Sequence, residues 1–86
     1  MNQQSINIRE IRDIANRFDT GSIDSCIQLA MDNKKNPCYA SDELENTMSI
    51  LAKASFVRGQ MEQGVSLALA IRELGKRIRL LQLNNE

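Results

Sequence analysis

The chain has 86 residues, with eleven basic and eleven acidic side chains and a net charge of zero. A balanced charge provides no overall field that would attract nucleic acid or an anionic membrane, and no apolar run reaches the ~20 residues of a membrane span. The polar start lacks the basic and apolar regions of a cleaved signal. We therefore predict a cytoplasmic protein without membrane contact.

Helix signals cover the first third of the chain. Asn7 and Glu10 suit a capping box, and isoleucines at helical spacing follow, which predicts a first helix over about 8–18. Gly21 suits the positive φ of a helix end and Ser22 suits the cap of the next helix, so the second helix is expected over 23–34. The Asn36-Pro37 step should end it.

Cys26 and Cys38 are the only cysteines, and the chain has no histidine. Zinc requires about four nitrogen or sulfur ligands, so a mononuclear zinc site within this chain is excluded. Without an export signal we expect two reduced thiols rather than a disulfide. No cofactor is predicted.

The third stretch, 42–82, repeats apolar residues at steps of three and four throughout. It is one long helix, or it divides near 59–66, either as a tight hairpin at Arg58-Gly59-Gln60 or where Gly64-Val65-Ser66 ends one helix and caps another. Residues 83–86 are expected to fray. Acidic residues near its start and basic residues near its end complement the helix dipole, so they require no metal.

These elements predict an all-α fold. The whole chain, 1–86, should form a single domain, a small bundle of three or four helices dominated by a long C-terminal helix or helical hairpin. Aromatic residues make up only 3% of the chain, so the core should be built from aliphatic side chains.

The apolar face of the third stretch points to association with protein. An unbroken helix of this length exceeds what forty preceding residues can cover, so a partner helix, from a second copy or from another protein, should pack on it. The residues predicted to contact that partner are Val57, Met61, Leu67, Ile71, Leu74, Ile78 and Leu81. The predicted function is that of a self-associating module, adaptor, co-chaperone or accessory subunit.

Two alternatives remain. Arg72, Lys76 and Arg79 share one helix face and are a candidate contact for phosphate or nucleic acid, although the neutral net charge argues against nucleic acid. The chain could also be a non-catalytic subunit of an enzyme complex. No arrangement of nucleophile and base is visible, so the chain is not expected to be an enzyme itself.

The order of the elements carries one resemblance. A short helical chain with a proline-containing loop ahead of a long C-terminal helix resembles the needle subunits of type III secretion systems, with residues 18–21 and Arg58 at similar places. The C-terminal end departs from that pattern, because it is basic and polar here and apolar in those subunits. The resemblance concerns the order of helices alone, and no functional residue is carried over.

Overall fold

A computed structural model describes residues 8–39 and 43–84. This part of the chain contains no strand and forms four helices: α1 (Ile8–Arg17), α2 (Thr20–Met31), α3 (Leu44–Glu62) and α4 (Leu67–Asn84). The predicted all-α bundle is confirmed, with four helices. The capping signal at Asn7 and part of the predicted tail lie outside the described residues.

Helix α3 is the centre of the bundle, because each of the other three helices packs against it. Five of its side chains recur at helical spacing and are buried: Thr47, Ile50, Leu51, Ala54 and Val57. They meet buried side chains from the other helices: Ile11, Ile14 and Ala15 of α1, Ile23, Cys26 and Ala30 of α2, and Ala70 and Leu74 of α4. The core is therefore aliphatic, as the composition predicted.

The long C-terminal stretch is divided at residues 63–66. Gly64 has φ +97°, a left-handed conformation that favours glycine. The N–H of Val65 donates to the carbonyl of Gln60 at 3.1 Å, which is the hydrogen bond across six residues that defines a Schellman motif. The Ser66 hydroxyl then accepts from the N–H of Leu69 at 3.2 Å and caps α4. The predicted single rod and the predicted hairpin at Arg58-Gly59-Gln60 are both wrong, whereas the division at Gly64-Val65-Ser66 is confirmed.

Replacing Gly64 tests this division. Nothing lies within 4 Å of a Cβ added at Gly64, so Gly64→Ala is penalised by its backbone conformation alone, and we expect a loss of about 1–2 kcal/mol of unfolding free energy. Gly75 lies inside α4 with equally open surroundings, so Gly75→Ala should stabilise the protein by about 0.5–1 kcal/mol. Urea denaturation of both variants measures the two changes in unfolding free energy. If both changes had the same sign, the division at Gly64 would be contradicted.

Helix α2 begins and ends three residues earlier than predicted. The carboxylate of Asp19 accepts from the N–H of Ser22 at 2.8 Å, so Asp19 is the cap, and Gly21 lies inside the first turn without a positive φ. At the other end Asn33 takes the left-handed conformation, with φ 64°, and the N–H of Lys34 donates to the carbonyl of Leu29. A Schellman motif on asparagine therefore ends the helix before Pro37 is reached.

A disulfide joins Cys26 of α2 to Cys38 of the following loop, and the Cα atoms are 6.2 Å apart. The expectation of two reduced thiols is wrong for this structure. Asn36 shapes the loop, because its side-chain oxygen accepts from the N–H groups of Cys38 and Tyr39 at 3.1 and 3.0 Å. The turn at Pro37 thereby returns Cys38 to α2, a contact that sequence spacing did not reveal.

A polar cluster fixes the α1–α2 corner to the end of α3. The carboxylate of Glu62 accepts from the N–H of Thr20 at 3.1 Å and from its hydroxyl at 2.9 Å, and it pairs with Arg58 at 3.2 Å. Arg58 also donates to the carbonyl of Ala15 at 3.1 Å. One arginine and one glutamate thus satisfy backbone groups at the end of α1 and the start of α2.

This cluster should make the unfolding free energy of the protein depend on pH in the acid range. Hydrogen bonds from Thr20, followed by the one from Arg58, lower the pKa of Glu62 below its ordinary value of 4.5. The bond from the Ser22 N–H likewise lowers the pKa of Asp19 below 3.8. Both groups bind protons more readily when unfolded, so their contribution is complete above the ordinary values and is lost as pH falls through the lowered ones.

We expect the melting temperature of the wild type to decrease between about pH 5 and pH 3. Glu62→Gln keeps the shape of the side chain but removes its charge, so the variant should melt lower at pH 7 and show a shallower decrease toward acid. Thermal melts followed by circular dichroism at several pH values measure both. Parallel curves for the wild type and the variant would contradict the role assigned to Glu62.

Candidate interaction surface

Most of the predicted partner-binding residues pack against the chain's own core. Val57 and Leu74 are buried in it, and four more residues are partly buried and pack against it: Met61, Leu67, Ile71 and Ile78. The reason is the turn at Gly64, which folds α4 back onto α3. Helices α3 and α1 thus cover much of the face on which a partner helix was expected to pack.

Among the side chains of α4 that the structure describes, those of residues 67–81, three leucines are exposed. Leu69 is 53% exposed, Leu80 is 59% exposed and Leu81 is 64% exposed. Leu81 continues the inward-facing series but lies near the end of α4, where its side chain stays accessible. Leu69 and Leu80 are eleven residues apart, close to three full turns, so they share one outward-facing side of the helix.

A shallow depression of about 340 Å³ lies beside Leu80, between this side of α4 and the inward-facing series, and is lined by Glu73, Arg77, Leu80 and Leu81. Arg77 pairs with Glu73 at 3.5 Å, and its guanidinium lies 5.2 Å from the centre of the Phe56 ring. Charged and aromatic contacts thus position Arg77 beside two exposed leucines. An apolar floor with a charged rim is typical of sites where protein side chains dock.

The three residues predicted to contact anions are all exposed on α4: Arg72, Lys76 and Arg79. They lie on the outward side of α4, toward the flank of the helix that is opposite to Arg77. Together with Arg77 they make four basic side chains against one acidic one, Glu73, so α4 carries the strongest charge of the four helices.

Sequence reasoning missed Leu69 and Leu80, because the more regular apolar series on α4 was taken as the exposed one. A signal was present in the spacing. Leu69, Glu73, Lys76 and Leu80 are separated by four, three and four residues, which places all four on one side of a helix. The order of residue types is apolar, acidic, basic and apolar.

Residues 8–39 and 43–84 contain no group of three or more His, Cys, Asp or Glu side chains that could hold a metal ion. Within the same described part of the chain, no helix combines the length and apolar content needed to cross a bilayer. The class defined by fold and surface is a small four-helix protein with an outward-facing leucine patch on its last helix.

Comparisons with protein-family profiles, with curated proteins and with solved structures find no match for this chain. The resemblance to needle subunits therefore gains no support from them.

Proposed function

We propose that this chain is a non-catalytic helical interaction module that binds another helix through the outward side of α4. The observation that carries the proposal is the exposure of Leu69 and Leu80 on one side of a helix whose opposite side is already packed. We call the surface formed by Leu69, Glu73, Lys76 and Leu80 the α4 outer face.

Burial of these leucines would favour association. A leucine that is fully buried contributes about 1.5–3 kcal/mol relative to an exposed one, and each of the two leucines still exposes more than half of its surface. A helix with apolar residues at matching spacing could fill the depression beside Leu80 while its polar side chains meet the charged rim. This describes an adaptor, a co-chaperone or an accessory subunit.

Affinity capture with chemical cross-linking tests the proposal. The full chain serves as bait, and the Leu69→Ser/Leu80→Ser variant should lose a protein that the wild type retains. Leu44→Ser changes an exposed leucine on α3 and is the matched control, which should retain that protein. Identical captured proteins for all three baits, with unchanged circular dichroism, would refute a role for the α4 outer face.

Anion binding is the second candidate, supported by the exposure of Arg72, Lys76 and Arg79 on one helix. If these residues contact phosphates, fluorescence anisotropy with labelled DNA or RNA should show saturable binding that weakens steeply with salt, with a slope near the number of contacts. Absence of binding at low salt would eliminate this candidate and leave the protein-binding proposal unaffected.

A further inference from the structure

We infer that the helix which fits the α4 outer face is α4 of a second copy, packed antiparallel to the first. This inference rests on the proposed function and names its partner. Its basis is the symmetry of the face, in which the residue order and the spacing of four, three and four read the same in both directions once acidic and basic residues are exchanged.

An antiparallel pair related by a two-fold axis matches each residue with the one equally distant from the midpoint of the helix pair. With the midpoint between Leu74 and Gly75, Leu69 lies opposite Leu80 of the second copy, and Glu73 lies opposite Lys76. Each match occurs twice by symmetry. The arrangement therefore brings apolar against apolar and acid against base at all four positions.

The depression beside Leu80 supports the same register. In this arrangement Leu69 of the second copy arrives at the level of Leu80, next to the depression lined by Glu73, Arg77, Leu80 and Leu81. A leucine inserted among four side chains of a facing helix is the packing unit of paired helices. Arg77 would also come close to Glu73 of the second copy, which adds a further attractive contact.

A contact limited to one pair of helices is small. Interfaces that bury less than about 1,200 Å² belong to weak or transient complexes, so we expect a dissociation constant on the order of 100 μM. Arg72 and Arg79 add like charges along one edge of this contact, which should weaken the dimer at low salt. Dimerisation must accordingly be measured at high protein concentration and near physiological ionic strength.

The test uses two charge-reversal variants of the full chain, analysed by sedimentation equilibrium up to about 1 mM. Glu73→Lys makes the centre of the face entirely basic, and Lys76→Glu makes it entirely acidic. Each variant alone should dimerise about tenfold or more weakly than the wild type, because like charges then face each other. Mixed in equal amounts, they should form a heterodimer at least as tight as the wild-type dimer, since every central pair is again attractive.

Glu45→Lys makes the same change of charge on α3, away from the face, and should dimerise like the wild type. A monomeric wild type at 1 mM, or a mixture no tighter than the separate variants, would overturn the inference. If the wild type is monomeric but still captures another protein that Leu69→Ser/Leu80→Ser loses, the proposed function stands and its partner is a different helix. If neither binding is seen, both proposals fail.

Discussion

Leu51→Ala is expected to lower the unfolding free energy by about 2–5 kcal/mol, because it empties the centre of the bundle. Leu51 is fully buried in the middle of α3, the helix against which the other three pack. The shortened side chain leaves a cavity that rigid neighbouring helices can fill only in part. In a domain of this size the loss corresponds to a decrease of roughly 10 °C or more in melting temperature.

Leu69→Ala is the matched control, because it removes the same atoms from an exposed position on α4. Its effect should stay within about 0.5 kcal/mol. Chemical denaturation at low protein concentration, where association is negligible, compares the two variants. Similar losses at both positions would contradict the central position assigned to Leu51.

Reduction of the disulfide between Cys26 and Cys38 should cost about 3 kcal/mol. The bond closes a loop between residues twelve apart, and opening it restores conformational freedom to the unfolded chain. Both cysteines are almost completely buried, at 2% and 7% exposure, so the thiols should stay packed at room temperature and the helical content should remain unchanged. The difference should therefore appear in denaturation curves with and without a reducing agent.

The Cys26→Ala/Cys38→Ala variant provides the control, since a reducing agent has no bond to cleave in it. Its denaturation curve should be the same under both conditions. Alkylation of the denatured wild type without reductant, followed by mass spectrometry, should find no free thiol. Full labelling of both cysteines, together with a wild-type curve insensitive to reductant, would show that the bond does not form.

The disulfide also bears on the predicted location. Such bonds persist in oxidising compartments and are rare in the cytosol, so this one disagrees with the predicted reduced cytoplasmic environment. The compartment stays a prediction, and the redox state measured on protein from its natural source would test it.

The helical elements were predictable where the signals are local. The first helix followed from a capping box and isoleucine spacing, the all-α class followed from helical spacing, and the Gly64-Val65-Ser66 alternative identified the correct turn. The predicted bounds of α2 were wrong for two reasons. Asp19, and not Ser22, caps the start of the helix. Asn33 ends it in a left-handed conformation that is more common for glycine.

The candidate surface was predictable only in part. The apolar and basic residues of α4, the helix that carries the candidate surface, were singled out from the sequence. The wrong side of that helix was taken as exposed, because two apolar series run along α4 and periodicity gives no information about which one the chain covers. Leu74 belongs to the covered series and Leu80 to the other.

Residues 8–17 and most of 44–84 could be predicted as helical from the sequence, because helix periodicity, caps and glycine positions act over a few residues. The folded chain was needed to show that α3 lies at the centre, that Cys38 contacts Cys26, and that the chain's own helices cover the apolar series through Leu74. These outcomes depend on contacts between residues distant in sequence. Such contacts are set by the way in which the four helices pack around one small aliphatic core, and local sequence patterns do not predict that packing.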